Sequence, residues 1–330
     1  MPRVGVTGAS GFLARALEAR LAGRHEVRGL FRAPGERSEA WESRGHGVVL
    51  GDLDDGSALA ALVDGCDVVY HLAARTGKDD LAASRRVNVG GTENVARAAR
   101  AAGVRRLIYV SSISVYAATR TADHTVTEDV SPANVPLLNP YSRTKHEAEV
   151  ALRALAERGE CPGFTTVRPT NVYGPWARSW FLDWARRLAR LPVAIGGDIP
   201  VDLVHADDVA DGLVLAAEAD AARGEVLHLG HESVLLGEFA RRVGRVIGRD
   251  VRRLPAPLDR VARTVLDRAH RVAKGSRRSM SLTWPVRYPH DRAERLIGYR
   301  PRISLDEGFR DLDRWYREVW LPRGADSRVR

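Results

Sequence analysis

Cysteine is almost missing: Cys66 and Cys161 are the only two in 330 residues, far apart, with no CxxC and no cluster of histidines beside them. That excludes a disulfide framework and argues against a zinc site, so no metal is expected. Long apolar runs are missing too. None reaches the roughly 18 to 20 residues of a membrane span, and Met1 to Arg3 leads straight into a strand-like segment, so a cytoplasmic location is the expectation. Lysine is scarce, with only Lys78, Lys145 and Lys274 in a Lys plus Arg total of 51. The net charge of +9 therefore comes from arginines spread along the chain, without aromatic interleaving, which looks like a compositional bias and not a nucleic-acid-binding arm. No nucleic-acid partner is expected. Internal repeats and low-complexity linkers are also absent, which argues against a flexible string of modules.

What is present is enough apolar content, 44%, to bury one main domain plus a smaller partner. The first half alternates β-branched runs (RVGVTG, HEVRGLF, GVVLGDL, DVVYHLA, RRLIYVSS, FTTVRP) with helical patterns at 12–21, 56–62, 84–101 and 141–158. Parallel strands joined by crossover helices have this rhythm, and the continuous hydrophobicity of VGV and LIYV fits strands covered on both faces. The expected fold class is α/β, a doubly wound parallel sheet. Residues 1–169 form its nucleotide-binding part, with returning segments near 201–230. Residues 170–330, where the rhythm loosens, form a smaller interleaved substrate-binding portion.

The opening VGVTGASGFLARALEARL reads strand, glycine turn, helix, with Gly8 and Gly11 where a backbone approaches a pyrophosphate and a helix N-terminus supplies donors. Ala14 replaces the third glycine of this Rossmann-type pattern. At the end of the second strand Phe31 stands where a carboxylate would accept a ribose diol, and Arg32 follows. An arginine there suits a 2′-phosphate, so NADP(H) is preferred to NAD(H). The competing view is that Arg32 is one more surface arginine. Asp52 is placed to meet the adenine edge, while Asp54 and Asp55 read as a helix start.

The segment NPYSRTKHEAEVALRAL places Tyr141 and Lys145 four positions apart, on one face of a helix, where a cation beside a phenol favours the phenolate. A solvated helix start, with Asn139 capping and Pro140 in the first turn, explains the same residues. TGASGFLA, GDL, HLAA, NVGGTENV, YVSSISVY, YSRTK, RPTNVYGP, VHADDVA and RLIGYRPRISLDEGFRDLDRWY decide between these readings. In their order and spacing they resemble the extended short-chain dehydrogenase/reductases over nearly the whole chain.

The resemblance implies a catalytic Tyr141, with Lys145 lowering its pKa and Ser112 bonding the same substrate oxygen; Ser111 competes for the serine's role. Asn88 corresponds to the family's site-ordering asparagine. Cofactor contacts are implied for Thr7, Gly8, Ser10, Gly11, Phe12, Leu13, Phe31, Arg32, Asp52, Leu53, Leu72, Ala73, Ala74 and Pro169, besides Tyr141 and Lys145. Ser112, Ser114, Asn171 and Val201 fall on the substrate side, although Asn171 would equally cap its loop.

The chain departs from the family's sugar-nucleotide branches at two places. Ile113 and Ser114 stand where 4,6-dehydratases carry an acid, and Val201 stands where a diphosphate-binding arginine is usual; Arg277, Arg278 or Arg287 would have to supply that charge. The late segment is similar to hydroxysteroid-dehydrogenase-like and dihydroflavonol-reductase-like members. The expectation is an oxidoreductase that moves a hydride between nicotinamide and a secondary alcohol or ketone. A nucleotide-sugar epimerase or 4-ketoreductase is the alternative, and a non-catalytic cofactor sensor a distant one. The helices at 84–101 and 141–158 resemble those that pair across a two-fold axis in this family, implying a homodimer. Finally, Leu258, Val261, Ala262, Val265, Leu266, Ala269 and Val272 form a helical stripe flanked by Arg260, Arg263, Arg268 and Arg271. Such a helix can lie on an anionic membrane, but docking on the protein's own core is the more usual use and is expected here.

Overall fold

The first strand, β1 (Arg3–Thr7), is buried along almost its whole length and runs through a glycine turn into α1 (Phe12–Leu21). There follow β2 (Glu26–Phe31), α2 (Glu36–Glu42), β3 (Gly47–Leu50), α3 (Gly56–Val63) and β4 (Val68–His71). Next, α4 (Leu81–Arg85) passes through a π-helical turn (Arg86–Gly90) into α5 (Gly91–Ala101), then β5 (Arg106–Val110), α6 (Pro140–Glu157) and β6 (Phe164–Pro169). The second half contains β7 (Asn171–Tyr173), α7 (Arg178–Arg190), β8 (Val193–Ala194), β9 (Pro200–His205), α8 (Ala206–Glu218), β10 (Val226–Leu229) and β11 (Glu232–Leu235). It ends with α9 (Leu236–Val246), β12 (Arg252–Arg253), α10 (Ala256–Ala273), α11 (Asp291–Ile297) and α12 (Leu305–Trp315). The structure, a computed structural model, describes residues 1–76, 80–117, 119, 121–135, 138–273 and 285–322, without the side chains of 178–180 and 267–273.

Seven parallel strands form the central sheet in the order β10-β6-β5-β4-β1-β2-β3. The chain winds outward from β1 to β3, then crosses back to β4 and winds the other way. The strand order therefore reverses between β1 and β4, and ligands of such sheets bind in the crevice at that point, beyond the strands' carboxyl ends. One face is covered by α1, α8 and α11 through Leu17, Val209, Leu213 and Ile297, the other by α3, α5 and α6 through Leu59, Val95, Leu152 and Leu155. A separate aromatic cluster of Tyr173, Phe181, Phe239, Phe309 and Trp315 joins α7, α9 and α12. The cysteines are free and buried, and burial pushes their thiols up, to about 11 for Cys66 and about 12 for Cys161.

Two expectations need correction. The single helix expected over 84–101 is interrupted by the π-helical turn, which carries Asn88; a π-bulge of this kind turns a side chain out of the regular ladder. The stripe beginning at Leu258 does not dock on the core. Leu258, Val261 and Val265 are 58%, 60% and 59% exposed, and the inward face of α10 is polar instead: buried Asp259 accepts the Gly196 N–H at 2.7 Å and pairs with Arg263 at 3.0 Å. The side chains of Ala269 and Val272 lie outside the described ones. Among the described residues no helix is long and apolar enough to cross a membrane.

Asp208, buried at the start of α8, tethers the late RPRIS segment: its two oxygens accept the Arg302 and Ile303 N–H groups at 2.8 and 3.2 Å. Asp208→Ala leaves both donors unpaired. We expect urea unfolding to show a loss of about 1 to 2 kcal/mol, the net worth of two part-buried hydrogen bonds.

Candidate active site

Gly8 closes the turn after β1 at φ +69°, a left-handed conformation that favours glycine. A Cβ there would stand 2.8 Å from the Ala73 nitrogen, so the turn and the strand-end of β4 approach as closely as backbones can. Gly11 N–H bonds to Gly8 O at 2.8 Å and Gly11 opens α1, which has no side-chain cap and no acid in its first turn. The first amides of α1 are thus left to an anion. Gly8, Ser10, Gly11, Asp52, Leu53, Leu72, Ala73 and Ala74 all line one cleft of about 470 Å³ with Arg32. This is a cradle that a dinucleotide's pyrophosphate and adenosine fit.

Beneath the turn runs a hydrogen-bond chain with no signal in the sequence pattern. Ala73 N–H donates to Thr7 Oγ1 (3.3 Å), Thr7 donates to His71 Nδ1 (2.7 Å), His71 Nε2 donates to Thr92 Oγ1 (2.8 Å), and Thr92 donates to the Asn88 carbonyl (2.6 Å). Thr92 spends its own proton on a carbonyl, so the Nε2–H tautomer follows. Burial, reinforced by the Lys145 charge, pushes the His71 imidazole down to about 3, so it stays neutral. Thr7, expected to touch cofactor, is fully buried in this chain, and it acts by holding the turn.

At the adenosine end Ser10, Phe12, Arg15, Phe31, Arg32 and Arg37 line a second recess of about 600 Å³. Phe31 contributes only a wall, because its ring is buried edge-on against Trp41. Arg37 is committed to buried Glu18 (2.5 Å) and to the Ala9 carbonyl (3.2 Å), and Arg15 stacks on Trp176 at 3.9 Å. Arg32 is exposed and borders both recesses, with no ion-pair partner among the described residues. Asp52 accepts the Asp54 N–H at 2.8 Å, and Asp55 caps α3 through Ser57 and Ala58, the helix-start role expected.

At the other end, β5 and α6 bring the chemical residues together. The chain stays extended just past β5, so Ser111 and Ser112 face opposite ways. Ser111 Oγ donates to buried Glu149 at 2.6 Å. Ser112 opens a 3-10 turn, accepts the Ser114 N–H at 3.1 Å, and hydrogen-bonds Tyr141. Asn139 caps α6 by accepting Ser142 N–H at 3.0 Å, with Pro140 in the first turn. Lys145 is buried, donates to the Val110 carbonyl at 2.6 Å, and sits 4.5 Å over the Tyr109 ring. The anticipated stabilisation of phenolate is not what dominates. Burial raises the Tyr141 pKa, with Ser112 pulling the other way, and burial lowers Lys145 to about 7.

Asn88 orders this end from the side. Its Oδ1 accepts Arg75 N–H at 2.7 Å, and its Nδ2 donates to the Arg75 carbonyl (3.1 Å) and to Thr144 Oγ1 (2.9 Å), the residue before Lys145. Behind Lys145, one helical turn on, lies Glu149, which sequence reasoning passed over. It is fully buried and takes both nitrogens of an Arg168 fork, Nε at 2.9 Å; Arg168 also donates to Tyr116. Burial opposes the Glu149 charge, but Arg168 overcomes it and holds the carboxyl below its usual range. The signal available was an acid four residues after a lysine in a helix, together with the arginine of RPTN.

On the substrate side, Ser114 Oγ is buried without a hydrogen-bond partner among the described residues. Asn171 Nδ2 donates to the Asp202 carbonyl at 2.9 Å, which ties β7 to β9. Val201 is part-buried in β9 against Val234 and the aromatic cluster, and Pro169 ends β6, paired with Leu229. Arg287 lines a polar recess with Asp202, His231 and His290. Arg277 and Arg278 lie outside the described residues.

A doubly wound sheet with a glycine turn at its switch point, and a serine, tyrosine and lysine at the carboxyl end of β5 and on the next helix, define a nicotinamide-dependent enzyme of the short-chain dehydrogenase/reductase type. The chain belongs to the NAD dependent epimerase/dehydratase family, whose model matches residues 4–230. It is 31% identical to the 2-alkyl-3-oxoalkanoate reductase of Stenotrophomonas maltophilia (strain K279a), covering 93% of this chain and 97% of that one. It is also 31% identical to the 4-hydroxy-2-methyl-3-oxo-4-farnesyl-3,4-dihydroquinoline-1-oxide ketoreductase of Stigmatella aurantiaca, over 93% and 94% of the two chains. The fold matches a double mutant of a dTDP-glucose 4,6-dehydratase from Streptomyces venezuelae, solved with NAD, over the full length of both chains, with a TM-score of 0.76 at 24% identity.

The depressed Lys145 makes a pH prediction. The unfolded chain holds that proton up to an ordinary 10.5 and the folded chain releases it near 7, so Lys145 destabilises the fold below 7 and this penalty fades as pH rises to 10.5. Lys145→Met should unfold at higher urea than the parent at pH 7, with the gap closing toward pH 10. A gap that is constant with pH would show that Lys145 titrates normally.

Proposed function

We propose that this protein is an NADP(H)-preferring ketoreductase acting on a weakly polar ketone. The observation that carries the reading is the Ser112–Tyr141 hydrogen bond beside buried Lys145, with the phenol, protonated at neutral pH in any case, moved further up and not down by its surroundings. A phenol in that state is an acid, and reduction of a ketone needs an acid at the oxygen. When bound, nicotinamide supplies the hydride to the carbonyl carbon. Ser112 and Tyr141 hold the carbonyl oxygen, Tyr141 gives it a proton, and the phenolate recovers its proton from solvent. Lys145 is pinned at the end of β5 by the Val110 carbonyl.

Four further points support this choice. Ile113 and Ser114 offer no carboxylate for eliminating water. Val201 presents no cation to a diphosphate, and both relatives named above are reductases whose names carry an oxo group. Arg32, exposed where its neighbour Arg37 is already paired, supports a 2′-phosphate. The second reading, a nucleotide-sugar epimerase, draws on Arg287 and the polar recess it lines. Calorimetric titration with NADPH, NADH and a nucleoside diphosphate separates the two, because a diphosphate response would promote the epimerase.

Tyr141→Phe should cut turnover about a thousandfold, within the usual range for loss of a general acid, while cofactor affinity changes by less than about threefold. Retained turnover would sink the assignment. Arg32→Ala should weaken NADPH binding about tenfold or more, the worth of one charge-assisted hydrogen bond, and leave NADH binding as it was.

A further inference from the structure

The apolar row of α10 faces away from the protein, and we propose that it docks on an anionic phospholipid bilayer. Leu258, Val261 and Val265 succeed one another at three and four residues, so they lie along one face, with Leu266 at its edge, 38% exposed. Among the described residues none covers them, and α10 is held by its opposite side, where Asp259 binds the Gly196 amide and Arg263 spans Asp259 and Asp198.

Charge selects the occupant. Among the described side chains of α10, the only acid, Asp259, is turned inward and paired, so the outward face shows aliphatic groups and Arg260 but no negative charge. In sequence α10 goes on through Arg268 and Arg271, with Asp267 its only further acid. An aliphatic row with cations on its flanks and few acids is what an interfacial helix presents to anionic headgroups, its apolar side entering the acyl boundary. A second copy is the poorer fit, because packing two such faces together would bring the Arg260 charges near each other with no acid of that face to offset them. The docking is independent of which ketone the site reduces.

The test is sedimentation of the full chain with extruded vesicles, either phosphatidylcholine alone or phosphatidylcholine with 30 to 40% phosphatidylglycerol, at low and at high salt. We expect pelleting with the anionic vesicles only, reduced by salt, and at least tenfold weaker for Val261→Glu/Val265→Glu, whose NADPH binding and melting temperature stay at parent values. Val261→Ala/Val265→Ala, which keeps the helix neutral, should bind to an intermediate extent and covers the case in which the glutamates disturb folding. Parent protein left in the supernatant with anionic vesicles overturns the proposal, as does binding unchanged in both variants. Light scattering that shows a dimer in the parent and a monomer in the variants, without vesicle binding, would assign the row to a second copy instead.

Discussion

A carboxylate taken wholly out of water organises the reacting end of this protein. Glu149 sits on α6 one turn beyond Lys145, bonds the serine next to Ser112, and takes the guanidinium fork that Arg168 extends from β6. Three elements that carry or flank catalytic groups are thereby locked to one another. Such a pair stabilises little in total, because desolvation consumes most of the attraction, but it is costly to break by half, about 3 to 5 kcal/mol. Its yield is geometry: Ser112 and Tyr141 meet with Lys145 behind them because Ser111, Arg168 and Glu149 leave those elements one arrangement.

A second, neutral device does the same for the nucleotide end. The chain from Ala73 through Thr7, His71 and Thr92 to Asn88 crosses β1, β4 and the π-helical turn. Every donor in it is used once, so the glycine turn, the end of β4 and the start of α5 move as a body. Asn88 then reaches through Thr144 to the turn of α6 that holds Lys145. The cleft and the proton donor are therefore parts of one hydrogen-bonded frame. Burial is the shared cause: it keeps His71 neutral, lowers Lys145 and raises Tyr141.

Much of this was legible in the residue order. The glycine turn, the alternation of strands and helices, the Tyr141–Lys145 spacing and the departures at Ile113 and Val201 are local patterns, set by a period or an offset of a few residues. The short α2 and α11, each of seven residues, are too brief to show a period, and nothing in the returning stretch near 201–230 told that β10 pairs with β6. Ser111 and Ser112 are equivalent as letters; only the alternation of the extended chain past β5 against its neighbours sends one to Glu149 and the other to Tyr141. Phe31 and Thr7 stand at cofactor positions in the pattern, yet their side chains turn into the core.

The order of residues was enough for the fold class, the family and the identity of the proton donor, because each depends on backbone period and on side chains within one or two turns. What required the folded chain was the state of those groups: which serine is available, which arginine is already paired, whether an amphipathic row is covered, and where the protons reside. These depend on desolvation and on partners brought from 19 to 100 residues away, as Glu18 is to Arg37 and Glu128 to His228. A helical stripe has the same spelling whether a core covers it or solvent does, and in α10 the polar anchor at Asp259 decided that.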